Sequence, residues 1–274
     1  MNFILRLPQG KQKVVTLSYD DGTVFDKKFV KILDEYGLRC TFNINSELFA
    51  KKSGERRMTL IEAKELYINS FHEVAVHGAR HLALARTPVD LGIRDIIADR
   101  ENLEKQFDRF VKGMAYANGS FDDEYVELVG KCGINYARTI ESTHSFDLPT
   151  NWLKWNPTCH HNDPELDELT DRFLSIHNPL YSVQLFYLWG HSYEFNDKNN
   201  WHVIENFAKK ISNNSSIWYA TNGEIYDYVT AYKRLVFSVD FTKVYNPSVI
   251  DVWFSFNGVT YCVHSGEMLK MKYV

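Results

Sequence analysis

Cysteine is scarce in this sequence, and the few that occur follow no pattern with a known structural use. None of them forms a C-x-x-C pair, and they lie far apart at Cys40, Cys132, Cys159 and Cys262. The spacing therefore predicts neither a disulfide framework nor a structural zinc knuckle. We expect most of these residues to be buried thiols.

The chain also lacks a long apolar run. The opening MNFILRLPQG contains one short apolar cluster before Arg6 and Pro8, which is too short for the core of a signal peptide or for a membrane span. We therefore expect a cytoplasmic, soluble protein without a membrane partner.

No block of like charge is present either. The chain has 31 Lys and Arg residues against 35 Asp and Glu residues, for a formal net charge of -4. Because no basic block could follow a phosphate backbone, nucleic acid is not an expected partner.

Apolar and aromatic residues, in contrast, are plentiful. Apolar residues make up 45% of the 274 positions, enough to fill one large core. Phe, Trp and Tyr make up 15%, which suits a carbohydrate-binding cleft and an ordinary aromatic core equally well. The aromatic content alone therefore decides nothing about function.

Apolar segments with the character of strands alternate with amphipathic segments with the character of helices. The strand segments are continuously apolar, which is typical of a parallel sheet covered on both faces. Strands are predicted at 13–19, 39–44, 72–77, 113–117, 134–140, 182–190 and 216–221. Helices are predicted at 25–37, 60–69, 89–111, 122–133, 200–212 and 223–235, with a loop after 140. Seven or eight such units in about 220 residues favour a closed (β/α) barrel over an open doubly wound sheet.

The pattern changes after Leu235. Short strand-like segments follow, joined by Asn-Pro, Asn-Gly and Ser-Gly turns, with no helix predicted among them. We therefore divide the chain into a (β/α) barrel domain at 1–234 and a small C-terminal all-β appendage at 235–274.

Two predicted strands end in pairs of residues that could bind a metal, on the side where parallel barrels carry their active sites. Asp20 and Asp21 follow the first strand, although Asp-Gly chemistry there also fits an ordinary turn. His77 and His81 follow another at the i, i+4 spacing that lets two imidazoles bind one metal. A surface pair of histidines would have the same spacing.

Two further strand ends carry single candidates. Asn118 lies in AYANGSFDD, where Asn-Gly also favours a turn, and His191 lies in YLWGHSYEF, where a lone histidine is often structural. It is the coincidence of all these residues at one face that predicts a site.

The composition of this face fits a catalytic metal. Such a metal needs three protein ligands and an open position, and one carboxylate with two imidazoles is an established set. Asp20 and Asp21 point in different directions from a strand end, so one can bind the metal while the other acts on water as a base.

In these residues the sequence resembles the polysaccharide deacetylase family, the NodB-like group of carbohydrate esterases, over about residues 13 to 225. The family's motif T-F-D-D-G resembles SYDDG at 18–22, and H-[ST]-x-x-H resembles HGARH at 77–81, apart from Gly78. The histidine of the family's last motif resembles His191.

The resemblance implies a deformed (β/α) barrel of about seven strands and hydrolysis of an acetyl group with a divalent ion. Zinc is the expected ion, with cobalt, nickel or manganese as alternatives. The resemblance also implies that Asp20 is the general base, that Asp21, His77 and His81 are the metal ligands, and that His191 is the general acid.

The family's third motif, R-x-P-[YF]-G, departs most from this chain. It falls on AYANG at 115–119, so the arginine that orients the base in the family is missing. Arg138 and Arg80 are the candidates to replace it. The backbone N–H of Asn118 could still stabilise an oxyanion, because a main-chain donor does not depend on the side chain.

The family's fourth motif has no clear counterpart. The segment FDLPTNWLKWNPTCHH takes its place and supplies Trp155, His160 and His161 as candidate substrate-binding residues. Trp189 and Tyr193 could offer ring faces to a sugar, although packing at the barrel rim is the slightly favoured alternative. Three consecutive residues, 159–161, do not easily close a tetrahedral metal site alone, so a second zinc is not expected.

These observations predict a metal-dependent hydrolase that removes acetyl groups from an N- or O-acetylated carbohydrate. Because a cytoplasmic protein has poor access to cell-wall polymers, hydrolysis of C–N bonds in a small N-acyl or cyclic amide compound is an alternative. A catalytically impaired carbohydrate-binding protein is the third hypothesis.

Overall fold

The computed structural model describes residues 3–177 and 182–271. The strands in these ranges are, in chain order, β1 (Phe3–Arg6), β2 (Lys13–Asp20), β3 (Cys40–Ile44), β4 (Glu73–Val76), β5 (Gly113–Ala115), β6 (Tyr136–Arg138), β7 (Cys159–His160), β8 (Gln184–Gly190), β9 (Ile217–Tyr219), β10 (Val236–Phe237), β11 (Lys243–Tyr245), β12 (Val252–Phe256), β13 (Val259–Val263) and β14 (Met268–Lys270). The helices are α1 (Asp26–Glu35), α2 (Leu60–Tyr67), α3 (Val89–Phe107), α4 (Asp123–Lys131), α5 (Leu166–Ser175), α6 (Ser192–Asp197), α7 (His202–Ile211) and α8 (Asn222–Lys233).

Strands β2 to β9 form one parallel sheet with helices packed against it. Its order is β6-β5-β4-β3-β2-β8-β7, and β9 also pairs with β2. The sheet is curled into a deformed (β/α) barrel, which confirms the predicted fold class. Since all the strands run the same way, their carboxyl ends share one edge.

Strand β2 is the centre of this sheet. It pairs with β8 from Lys13 to Tyr19, with β3 at its carboxyl half and with β9 at its amino half. Every residue of β2 is buried, including the polar Thr16 and Ser18 as well as Val14, Val15 and Leu17, as expected for a central strand covered on both faces. Its last residue, Asp20, therefore lies in the middle of the carboxyl edge.

Local sequence signals fix several helix ends. At the start of α2, the Thr59 hydroxyl accepts from the N–H of Glu62 while the Glu62 carboxylate accepts from the N–H of Thr59, which is a capping box. Helix α3 ends at Phe107, short of the predicted 111, because Asp108 adopts a left-handed backbone with φ 50°.

Two helices were not predicted from the sequence. Helix α5 lies within the segment predicted as a loop, although Leu166, Leu169 and Phe173 form its buried stripe at helical spacing. Helix α6 is only six residues long, too short for a periodic pattern to stand out. It begins immediately after His191.

The C-terminal β unit contains two small sheets, β1-β12-β13 and β10-β11-β14. Strand β1 pairs antiparallel with β12, and Phe3 stacks on Phe256 with ring centroids 4.4 Å apart. The start of the chain therefore belongs to this unit, whereas the predicted division placed it with the barrel. Residues 272–274 of the last predicted strand lie outside the described residues.

The four cysteines are free thiols, of which Cys40 and Cys159 are buried and Cys132 and Cys262 are partly exposed. The expectation of buried thiols is thus met at two positions. Within residues 3–177 and 182–271, no helix has the length and apolarity needed to cross a membrane.

Candidate active site

The carboxyl ends of four strands bring the candidate residues together. Asp20 ends β2, His77 follows β4, Arg138 ends β6 and His191 follows β8. The Oδ2 atom of Asp20 lies 3.7 Å from Nε2 of His77 and 3.9 Å from Nε2 of His191. Asp20 is therefore the common neighbour of both imidazoles.

The Asp20 carboxylate is held from two sides in a buried position. It is 3% exposed, its Oδ1 accepts from Nδ2 of Asn43 at 2.8 Å, and its Oδ2 accepts from Nη2 of Arg138. Burial raises the pKa of Asp20, but Arg138, His77 and His191 together lower it more, so the pKa falls to about 2. The group is ionised throughout the neutral range.

Arg138 occupies the position for which the sequence offered two candidates. Its side chain is fully buried, Nη1 donates to the carbonyl of Thr139 at 3.0 Å, and its guanidinium carbon lies 4.4 Å from the ring centroid of Trp189. Arg80, the other candidate, instead donates from Nε to Oδ1 of Asp95 at 2.8 Å. Arg138 is thus the guanidinium that contacts Asp20.

Asp21, His77 and His81 converge as the sequence predicts. Each offers one ligand atom, and these atoms all lie within 4.8 Å of one another. One carboxylate oxygen and two imidazole nitrogens suit zinc and the other divalent ions expected here. The donor set therefore fits a catalytic metal.

The hydrogen bonds of His77 select the tautomer that a metal ligand needs. Its Nδ1 lies 2.9 Å from the carbonyl oxygen of Ala115. Because a carbonyl only accepts, Nδ1 carries the proton and the lone pair of Nε2 is free to bind a metal. The backbone N–H of His77 donates to Oδ2 of Asp99 at 2.9 Å, which fixes the strand end itself.

Asp21 has a close partner that the sequence analysis missed. Its backbone lies in the left-handed region with φ 84°, and its carboxylate contacts Arg57, whereas that of Asp20 contacts Arg138. Arg57 donates from Nη2 to Oδ1 of Asp21 at 2.9 Å and from Nη1 to the main-chain oxygen of Asp21. A guanidinium therefore fixes this carboxylate, whose Oδ1 also lies 3.6 Å from Nε2 of His81.

Asn118 lies beside this group. Its backbone is left-handed with φ 57°, and its Nδ2 lies 3.4 Å from Nδ1 of His81. The carboxyl edge thus brings the AYANG segment next to the histidine pair, as the alignment of motifs predicts.

His191 is held by a carboxylate that the sequence analysis also missed. Its Nδ1 lies 2.7 Å from Oε1 of Glu194, three residues on and in the first turn of α6. Burial lowers the pKa of His191, but Glu194, Asp20 and Asp21 outweigh burial and the pKa is raised. The spacing H-x-x-E in HSYE was the available signal.

His160 and His161 face the same carboxylate. Nε2 of His160 lies 3.3 Å from Oε1 of Glu194, and Nε2 of His161 lies 3.6 Å from Oε2. Burial raises the pKa of Glu194, but these two imidazoles and His191 lower it more, to well below its usual range. His161 is only 1% exposed, so its predicted contact with substrate is not supported.

The aromatic candidates differ in their exposure. Trp155 is 1% exposed and packs against Tyr136 and Tyr187 in the interior, so the expectation that it binds substrate is wrong. Trp189 is 8% exposed, and its ring lies under Arg138 rather than facing open solvent. Tyr193 is partly exposed with Arg56 over its ring, 4.5 Å from the centroid. Tyr193 thus stays a candidate for substrate contact.

Comparison with known proteins supports the family resemblance. Residues 8–137 match the sequence model of the family described as polysaccharide deacetylase, which confirms the resemblance seen in the motifs. No curated protein matches the chain.

Solved structures that match with TM-scores above 0.5 show the fold. A Mycobacterium smegmatis protein assigned as a polysaccharide deacetylase matches with TM-score 0.56 and 17% identity, over 84% of this chain and 94% of that one. The peptidoglycan deacetylase PdaC from Bacillus subtilis matches with TM-score 0.51 and 16% identity, over 81% and 93%. The Streptococcus pyogenes deacetylase PplD in complex with acetate matches with TM-score 0.49 and 22% identity, over 55% of this chain. The chain spans 65% of the length of PplD, less than two thirds.

Proposed function

We propose that this chain, whose residues 8–137 match the polysaccharide deacetylase family, is a divalent-metal-dependent hydrolase that removes acetyl groups from an N- or O-acetylated carbohydrate. One observation carries the proposal. A buried, ionised Asp20 is paired with Arg138 and faces Nε2 of both His77 and His191, next to a carboxylate and two imidazoles that fit a metal.

Asp21, His77 and His81 would hold the ion, with zinc the first choice. When bound, the ion would supply Lewis-acid chemistry and lower the pKa of water toward neutrality. Arg57 would keep the Asp21 carboxylate in place, and the hydrogen bond from His77 to Ala115 would keep Nε2 of His77 aimed at the ion.

Asp20 would accept the proton of the attacking water. Its low pKa makes it a weak base in bulk solution, but it is ionised at neutral pH and lies 3.7 Å from Nε2 of His77 and 3.9 Å from Nε2 of His191. Arg138 and Asn43 would hold one carboxylate oxygen each, so the base keeps a single orientation.

His191 would donate the proton that the leaving group needs. An amide nitrogen cannot leave unprotonated, and a histidine with a raised pKa carries that proton near neutral pH. The N–H of Asn118 would donate to the acetyl oxygen as it becomes anionic, a contribution of roughly 3 to 4 kcal/mol for a well-placed donor.

Acetate release by the metal-stripped and reconstituted protein tests this proposal. The substrates are N-acetylglucosamine oligomers, acetylxylan and small acyl amides, each assayed without metal and with zinc, cobalt, nickel or manganese. We expect release from an acetylated carbohydrate only with metal. Acetate release from small amides alone would show that the substrate is a small N-acyl compound rather than a carbohydrate. Carbohydrate binding without any acetate release would contradict the enzymatic proposal.

A further inference from the structure

His160 and His161 have no role in the proposed reaction, yet both lie close to one carboxylate. Together with His191 they direct three imidazoles at one carboxylate, Glu194. His191 approaches Oε1 at 2.7 Å, His160 approaches Oε1 at 3.3 Å and His161 approaches Oε2 at 3.6 Å. The question is what this convergence does.

The ring of His161 is built into the core. It stacks on Phe195 with centroids 4.1 Å apart, and its Nδ1 lies 3.2 Å from the hydroxyl of Tyr19. A Cβ atom at Gly190 would lie 2.0 Å from Nδ1 of His161, so the glycine of the WGH segment is what admits this ring. His161 cannot shift without displacing β2, β8 or α6.

The protonation of His161 follows from its neighbours. Burial lowers its pKa to about 4, so the ring is neutral near pH 7. With the Tyr19 hydroxyl donating to Nδ1, Nε2 carries the proton and faces Glu194. The opposite tautomer would place a lone pair against the carboxylate, so electrostatics select Nε2–H.

His160 adopts the same tautomer as His161, with the proton on Nε2, for a separate reason. The backbone N–H of Asn162 donates to its Nδ1 at 3.1 Å, which leaves the proton on Nε2 when the ring is neutral. A protonated Nε2 lies 3.3 Å from Oε1 of Glu194 and has no lone pair for a metal. The Asn162 side chain also donates to Oε2 of Glu194, as does Nζ of Lys198 at 3.3 Å.

We propose that His160 and His161 are positioning residues that lock Glu194 in the orientation from which it holds His191 toward Asp20. This rests on the proposed function, since it assigns the pair a role in proton donation by His191. Both imidazoles act through Glu194, and neither touches the reacting atoms.

Other groups also face His191. They are the carboxylates of Asp20 and Asp21, and the rings of His160, Trp189 and Tyr193 at centroid distances of 6.4, 5.9 and 5.0 Å. Only Glu194 contacts its Nδ1 at hydrogen-bond distance among the described residues, so loss of order at Glu194 frees the ring to turn.

The test uses His160→Phe and His161→Phe, which keep an aromatic ring and remove the N–H donor. On an N-acetylated substrate each should lower kcat about 10-fold with little change in KM, similar to losses from removing the outer partners of a functional histidine. On 4-nitrophenyl acetate, whose leaving group needs little protonation, turnover should change little. In a His191→Ala background neither substitution should lower turnover further.

Two control variants accompany this experiment. His264→Phe removes another imidazole–carboxylate pair, which His264 forms with Asp251 in the C-terminal unit. It should change the turnover of neither substrate. His160→Gln keeps a side-chain donor and should recover part of the loss, even if His161→Phe fails to fold. Equal losses on both substrates, or losses that persist with His191→Ala, would overturn the proposal.

A second readout does not depend on activity. At a pH where the His191 ring is neutral, its 15N NMR signals should show the Nδ1–H tautomer in the wild-type protein. In both Phe variants they should show a mixture of the two tautomers. If the wild-type protein releases no acetate, the proposed function fails, but this measurement still tests whether His160 and His161 fix the orientation of His191 through Glu194. An unchanged tautomer in both variants would overturn it.

Zinc titration separates positioning from metal binding. Glu194→Gln should bind as many zinc ions per chain as the wild-type protein. Loss of one equivalent in that variant would show that His160, His161 and Glu194 bind a metal, and would overturn the proposal.

Discussion

Arg138 and Asp20 lie 118 residues apart in the chain and form a fully buried ion pair. β6 and β2 carry the two residues at their last positions, so the pair joins the edge of the parallel sheet to its centre. The pair keeps Asp20 ionised and fixed, as its proposed role of general base requires.

Replacing Arg138 by Met should be strongly destabilising, because it leaves the Asp20 carboxylate buried and unpaired. We expect the free energy of unfolding to fall by about 3 to 5 kcal/mol, and the pKa of Asp20 to rise. Urea unfolding measures the first effect. Turnover should fall as well, because the base loses its orientation.

The double variant Asp20→Asn/Arg138→Met tests whether the pair is the cause. It should lose less stability than the sum of the single variants, since no unpaired carboxylate remains. Arg56→Met, which breaks an exposed pair with Asp197, should change stability little. Strictly additive losses in the double variant would contradict the coupling.

His191→Ala should distinguish substrates by their leaving groups. A general acid contributes typically 10²- to 10⁴-fold, so turnover of an N-acetylated sugar should fall by about that factor. Aryl acetates should lose much less, because a phenolate leaves without a proton. His202→Ala, at an exposed position of α7, serves as the matched control. Equal losses on the two substrate types would remove the acid assignment.

Asp26 should make the stability of this protein depend on pH in an unusual direction. The residue is buried at the start of α1, where Oδ2 accepts from the Tyr67 hydroxyl at 2.7 Å and Oδ1 accepts from the Ser192 hydroxyl. Burial raises its pKa to about 7, against about 3.9 in an unfolded chain. Between these values the folded protein binds more protons than the unfolded one, so stability falls as pH rises.

Asp26→Asn isolates this contribution, because an amide does not ionise. The free energy of unfolding of the wild-type protein minus that of the variant should fall by up to roughly 4 kcal/mol between pH 4 and pH 8, at about 1.36 kcal/mol per pKa unit. Urea unfolding across that range gives the difference. A difference that stays constant with pH would show that Asp26 is not protonated on folding.

The sequence predicted that those candidate residues whose positions depend on local spacing would come together. Asp20, Asp21, His77, His81 and His191 lie within a few residues of a strand end, and a parallel sheet necessarily gathers such ends at one edge. Their meeting could therefore be expected without knowing any long-range contact.

Partners that reach across the fold were harder to predict. Arg138 was one of two candidates because the choice depends on which strand lies where in the sheet. Arg57 comes from the long loop between β3 and α2, which has no periodic signal. The pairing of β1 with β12 joins the two ends of the chain, and nothing local marks it.

The clearest wrong prediction concerns Trp155, which is buried. Trp155 was expected to bind substrate because it lies in the segment that takes the place of the family's fourth motif, yet it fills the interior beside Tyr136 and Tyr187. A tryptophan has the same local sequence signal in either place, and only the packing of distant strands decides between them.

Zinc content and acetate release, measured together on Asp20→Asn and His77→Ala, test the central claim most directly. The account predicts that Asp20→Asn keeps its zinc and loses acetate release by at least about 100-fold, whereas His77→Ala loses both the zinc and the activity. An Asp20→Asn protein that holds zinc and releases acetate at the wild-type rate would contradict it.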